Sequence, residues 1–279
     1  MTTFQAILYG ILHGFTEMLP LGAEAHRILL AYVTGWPEPS GPLLGVLWLG
    51  SALALWIYFI HDWASMFSSL LRILVYRKKP MTFDERMPFF VLLATAPVAV
   101  FWYYLHEQIS ARLDASPLVV AVTLGSFGLL LGFADSMSRK TKNMYDWHVF
   151  DSIIMGFVQI AALIPGCGRG SAALTGALFR NFSRVAAAKF SFFTAAPLLT
   201  AGALFHLHGL NFHAPEPMAE LSWLSFYVAF VVAFFSSLLF MSAFMKQFHR
   251  GGVRSYVTWR VLVAVAIGTL YFIRTRNSG

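Results

Sequence analysis

The chain has 279 residues, 58% of them hydrophobic, 16% aromatic and only 12% charged, with mean hydropathy +0.65, against about 25% charged in an ordinary soluble domain. Its formal charge of +7 falls in short basic clusters between apolar runs rather than along one stripe, which argues against a nucleic-acid partner and for the loops of an integral membrane protein. A single cysteine, Cys167, excludes an internal disulfide framework, and no Cys/His spacing suits a metal centre.

Residues 1–12 carry no basic residue ahead of their apolar run and no cleavage-type sequence, so they are expected to belong to the mature fold rather than to a signal peptide. Residues 13–27 then break that run with proline, glycine and charge. His13 and Glu17 are four apart and share one helical face, which Pro20 brings to an end. Glu24, His26 and Arg27 follow at or just past this break. Six later runs, roughly 43–60, 89–106, 117–134, 190–207, 222–245 and 256–273, are long enough to cross a hydrocarbon core of about 30 Å. Between the third and fourth lies a second broken stretch, Ile164-Pro-Gly-Cys-Gly-Arg-Gly-Ser171, which sets Gly166, Gly168 and Gly170 around Arg169 before a helix expected over 172–179.

Basic residues cluster in 72–86, 139–142, 180–189 and 246–254, whereas 35–42, 107–116 and 208–221 are neutral or acidic. Positive loops stay cytoplasmic, so the second group is expected on the outer side. Tracing six spans with that assignment leaves 1–34 entering and leaving from outside and 151–185 from inside, as two re-entrant hairpins. The expected fold is an all-α polytopic membrane domain over 1–279, with inverted-topology repeats at approximately 1–134 and 151–273. Internal echoes are faint: Leu19-Pro20 answers Ile164-Pro165, and Thr95-Ala-Pro97 resembles Thr194-Ala-Ala-Pro197.

A charge at the centre of hydrocarbon costs about 2.5–3.5 kcal/mol, so Glu17, Glu24, Arg27 and Arg169 facing lipid would cost on the order of 10 kcal/mol together. They are expected to face one another or water. Glycines allow close backbone approach, N–H groups opening a helix form an anion nest, and an arginine adds a bidentate fork. A phosphate is expected between the hairpins, with Gly166, Gly168, Gly170, Ser171, His13, Glu24 and Arg27 around it and a phosphate-bearing lipid as partner. The remaining histidines fall at loop or interface positions, and Trp36, Trp48, Trp56, Trp63, Trp147 and Trp223 fall mostly near span ends, the aromatic-belt position.

These residues make the chain resemble the bacterial undecaprenyl-pyrophosphate phosphatases, the BacA-type bacitracin-resistance family, over essentially its whole length. That family's first motif, Glu-Gly-Leu-Thr-Glu-Phe-Leu-Pro-(Ile/Val)-Ser-Ser-(Ser/Thr)-Gly-His, is answered by His13-Gly-Phe-Thr-Glu-Met-Leu-Pro-Leu-Gly-Ala-Glu-Ala-His26. Its second, Pro-Gly-x-Ser-Arg-Ser-Gly, is answered by Pro165-Gly-Cys-Gly-Arg-Gly-Ser171. Leu49-Gly-Ser-Ala-Leu-Ala54, Ser183-Arg-Val-Ala-Ala187, Phe190-Ser-Phe-Phe-Thr-Ala-Ala-Pro197 and Trp259-Arg260 match in register as well.

The resemblance implies hydrolysis of a polyprenyl diphosphate to the monophosphate carrier, at the outer face of the bacterial inner membrane, often with a divalent cation such as Mg²⁺ or Ca²⁺. Carried over, Glu17, His26 and Arg169 are the catalytic set, and Glu17 with Glu24 the candidate cation ligands. The departures are His13 for the first glutamate, Gly22 and Ala23 for two serines, Glu24 for the third hydroxyl, and Gly168 and Gly170 for the serines beside the arginine. A nucleophilic serine matching Ala23 is thereby closed. His26 as nucleophile or general base, oriented by Glu17, leaves the reaction intact. The alternative is a non-hydrolysing relative that binds or translocates a lipid phosphate. A homodimer is the expected assembly.

Overall fold

The computed structural model describes residues 1–39, 41–112, 116–208, 210 and 222–278. Among them the chain is helical and contains no strand: α1 (Thr3–Met18), α2 (Ala23–Thr34), α3 (Gly41–Tyr58), α4 (Ile60–Tyr76), α5 (Phe83–Arg112), α6 (Pro117–Met137), α7 (Val149–Gln159), α8 (Arg169–Phe179), α9 (Arg184–Leu207), α10 (Trp223–Arg250) and α11 (Arg254–Ser278). Six apolar stretches are long enough to cross a bilayer, Gly41–Tyr58, Phe83–Leu105, Pro117–Met137, Arg184–Leu207, Trp223–Phe248 and Arg254–Arg276. The protein is a polytopic membrane protein. Most of the expected outer connection 208–221, and part of 107–116, lie outside the described residues.

Two spans begin before their apolar runs, because polar caps and ion pairs carry the first turn. α9 starts at Arg184, with the Ser183 hydroxyl accepting from Ala186 N at 3.3 Å. α4, at 17 residues, is not among the crossing helices. α4 buries Trp63, Met66 and Ser69 at three-residue spacing and exposes Phe67, Leu71, Leu74 and Val75. It carries residues 60–76 of a region expected to be partly loop, because an amphipathic helix shows in periodicity rather than in mean hydropathy.

Contacts between helix termini define two opposite ends of the molecule. At one, Tyr9 donates its hydroxyl to Pro37 O at 3.2 Å and Trp36 packs edge-on against Phe4 and Tyr9. α1 therefore begins where the chain leaving α2 arrives. At the other, Asp151 in the first turn of α7 holds Arg180, just past α8, at 2.7 Å. Asp135 near the end of α6 accepts from Arg184 Nε and Nη2 at 2.7 and 2.8 Å. Arg184 also donates to Gly251 O at 3.3 Å, and Lys142 N donates to Asn181 O at 2.9 Å. Basic clusters 139–142, 180–189 and 246–254 thus gather at a single end.

The two halves of the Thr-Ala-Pro echo fall inside spans. Pro97 lies within α5, the second span in order, and Pro197 within α9, the fourth and the first after the second break.

Candidate active site

Both broken stretches stop their helices in the same way. The residue before a proline is driven out of the helical region, so α1 ends where Leu19 turns extended (φ −96°, ψ 153°) ahead of Pro20. The 3₁₀ turn Ile160–Leu163 after α7 ends where Ile164 does the same (φ −79°, ψ 118°) ahead of Pro165. Each break then leads to a helix capped by a glycine of positive φ, Gly22 at 86° before α2 and Gly168 at 75° before α8. The two caps touch: a Cβ on Gly168 would lie 2.6 Å from Gly22 Cα. Two helix N-termini therefore converge with unsatisfied N–H groups and the positive ends of their dipoles, the arrangement that favours an anion.

Arg260 of α11 clamps this junction. It is wholly buried and donates to Pro20 O at 3.1 Å, Gly166 O at 2.8 Å, Cys167 O at 3.0 Å and Leu124 O at 3.0 Å. It also donates to the Ser171 hydroxyl, which itself donates to Pro20 O. Thr123 donates to Pro165 O. Ser171, expected as a substrate contact, thus has its hydroxyl engaged in joining the two tips.

Glu17 and Arg169 meet across the junction. Arg169 Nε and Nη2 donate to Glu17 Oε1 at 3.2 and 3.1 Å, and Nη1 donates to Ser191 O at 3.0 Å. An arginine has five N–H donors; these contacts leave one on each Nη. Both side chains are 11% exposed, enough for an anion to approach. Gly170 lies beside them, where an added Cβ would meet only Glu17 O and Leu19 O at 4.0 Å.

His26, in the first turns of α2, has both ring nitrogens engaged. Nδ1 lies 2.9 Å from Gly22 O, and Nε2 lies 2.9 Å from Trp259 Nε1. A carbonyl can only accept and an indole N–H can only donate, so the imidazole is neutral, protonated on Nδ1, with its lone pair on Nε2. His13 is buried, and its Nε2 has no hydrogen-bond partner. Arg27 donates to Glu38 at 2.8 Å. Glu24 sits in the first turn of α2, where the helix dipole favours a carboxylate. No group of three or more His, Cys, Asp or Glu converges among the described residues.

Sequence reasoning passed over Thr123 and Gln159, and took Trp259-Arg260 only as part of the family resemblance without a role at the site. Gln159 is buried, donates to Ala94 O at 3.2 Å and accepts from Thr194 at 3.1 Å, tying α5, α7 and α9 together behind Arg169. For Arg260 the signal was present: an arginine inside an apolar run, the criterion that singled out Arg169.

The family model for "Bacitracin resistance protein BacA" matches residues 6–266. The chain belongs to the BacA family. An undecaprenyl-diphosphatase of Idiomarina loihiensis is 33% identical over 272 residues, covering 98% of this chain and 100% of that protein. Proteins of the same name from Thermobifida fusca and Moorella thermoacetica are each 31% identical, over 100% and 98% of this chain and 94% and 100% of their own lengths. Against the BacA motifs, the two lost serines at the arginine have unequal structural meaning. Gly168→Ser would force a side chain onto Gly22 at a positive φ and should destabilise the protein by about 1–3 kcal/mol. Gly170→Ser has room and should change stability by less than about 0.5 kcal/mol. Apparent melting temperatures in detergent of the two variants test this difference.

Proposed function

We propose that the protein is a membrane phosphatase that hydrolyses a polyprenyl, undecaprenyl-type diphosphate to the monophosphate carrier, recycling a cell-envelope lipid. The carrying observation is the meeting of two glycine-capped helix N-termini beside the Glu17–Arg169 pair and a neutral His26. Three chemistries needed for phosphoryl transfer are then within one junction: anion binding, charge stabilisation and a basic nitrogen.

In this reading Arg169, with its two uncommitted N–H groups, and the N–H groups around Gly166, Gly168 and Gly170 hold the diphosphate. Glu17 keeps Arg169 oriented. The orphan Nε2 of His13 supports a polar contact with the substrate, and Arg27 adds positive potential. His26 Nε2 attacks the terminal phosphorus or takes a proton from the attacking water. The bond from that phosphorus to the bridging oxygen breaks, the oxygen leaves on the lipid monophosphate, and the terminal phosphoryl group departs as inorganic phosphate after water has added. Two carboxylates fit a cation that completes its shell with substrate oxygens. Glu17 and Glu24 would hold such a divalent ion, which would neutralise phosphate charge.

The two stretches are proposed as re-entrant hairpins of an inverted repeat in the inner membrane, with the site open to the periplasmic side. Helix pairing supports this: α1 packs on α10 as α7 packs on α5, α3 packs on α10 as α9 packs on α5, and α3–α9 and α6–α11 pair with their own counterparts. In a Cys167→Ala background, Glu38→Cys and Arg250→Cys should react with an impermeant thiol reagent from opposite sides of the membrane. Reaction from one side overturns the topology. A homodimer is proposed as the commonest closed symmetry.

The activity is tested by phosphate release from undecaprenyl diphosphate by purified protein, with and without Mg²⁺ or Ca²⁺, beside His26→Ala. Release no greater than that of the variant sinks the hydrolase reading. Movement of lipid phosphate across proteoliposomes would then identify a binding or translocating relative.

A further inference from the structure

We propose that Trp259 is a positioning residue for His26: its indole N–H and the Gly22 carbonyl together fix the imidazole with the proton on Nδ1 and the reactive lone pair on Nε2. This rests on the proposed function for its catalytic meaning, but the geometry stands apart from it. Trp259 Nε1 lies 2.9 Å from His26 Nε2, and Gly22 O lies 2.9 Å from Nδ1. The two rings are nearly parallel, with 13° between their planes. With their centroids 6.3 Å apart the rings lie edge to edge, so the imidazole is held at both nitrogens.

Trp259 is itself held firmly. Its neighbour Arg260 is fixed by acceptors in both tips, in α6 and on α8, so the register of α11 relative to the Gly22 cap cannot drift. Phe15 of α1 packs edge-on against the indole at 6.1 Å and 86°. One clamp thus sets the tip-to-tip contact and the ring that addresses His26. The indole is also 44% exposed, unlike the buried imidazole, so its N–H can be displaced from Nε2 without opening the core. A group that accepts the lone pair, phosphorus or the proton of a water, takes the place the N–H occupies at rest.

The choice of nitrogen matters because a wrong tautomer leaves the geometry intact while removing the base, which in a serine protease triad costs about 10⁴-fold. Trp259→Phe keeps the ring and deletes the donor. In protein labelled with ¹⁵N-histidine, the wild type should show the His26 ring as the Nδ1–H form, identified by the signal lost in His26→Gln. Trp259→Phe should bring in the Nε2–H form and lower the turnover of undecaprenyl diphosphate by about tenfold or more, with KM changed by less than about threefold. An unchanged tautomer in Trp259→Phe overturns the proposal whatever the turnover does. A shifted tautomer with undiminished turnover overturns it also. Absence of turnover in the wild type would count against the hydrolase reading, and the tautomer measurement alone would then decide this one.

Discussion

Arg260→Met should lower stability by several kcal/mol, because each buried carbonyl left without a donor costs about 1–3 kcal/mol. The substitution preserves volume and apolar length but strips the Arg260 donor from Gly166 O, Cys167 O and Leu124 O, and leaves Pro20 O with Ser171 alone. Backbone carbonyls at the two tips cannot turn to the helices for partners, because prolines have already ended those helices, and lipid offers none. The Gly22–Gly168 contact should loosen and the anion site should spread with it. Arg260→Lys keeps the charge and replaces five donors by three on one nitrogen, so it should fall between the parent and methionine. Apparent melting temperature in detergent gives the order, and a methionine variant as stable as the parent would refute the clamp.

Arg169→Ala should remove about 10²–10³-fold of phosphate release, as expected for a lost donor aimed at developing charge. Its side chain joins one carboxylate and one carbonyl near the surface of the junction, whereas Arg260 joins five buried groups. Deleting Arg169 leaves Glu17 facing the substrate unopposed, which repels the diphosphate as well as losing the clamp. Arg169→Ala combined with Glu17→Gln should therefore bind lipid diphosphate more tightly than Arg169→Ala alone while turning it over no faster. Steady-state kinetics of the two variants, read as KM against kcat, separates the effects. Equal KM values would mean that Glu17 does not face the bound phosphate.

Much of the architecture was legible in the sequence because membrane spans are written in composition. A bilayer requires about twenty apolar residues in a row, and all six runs were found, with errors at the helix ends, where polar or charged turns extend α5 and α9 at their starts and α6, α10 and α11 at their finishes. α4 was missed for the complementary reason: it is only 17 residues long and interrupted by polar residues, so its signal lies in the spacing of Trp63, Met66 and Ser69. Of the candidate site, the residues that break an apolar run were legible. Glu17 and Arg169 prove to be in contact although 152 positions apart. Their pairing followed from the cost of leaving either in lipid.

What the sequence by itself determined is the solvent, the spans and the two charged breaks, since each follows from local composition against the energetics of hydrocarbon. Only the tertiary structure decided how those breaks are used. It brings Gly22 against Gly168, so two glycines that look like lost hydroxyls serve as the contact between helix caps. It turns Ser171 toward Pro20 and gives Arg260 to the tips rather than to the anion. It sets Trp259 on His26 across 233 positions. These choices depend on which backbone carbonyls are left without partners once the helices have packed, a quantity that no stretch of sequence carries alone.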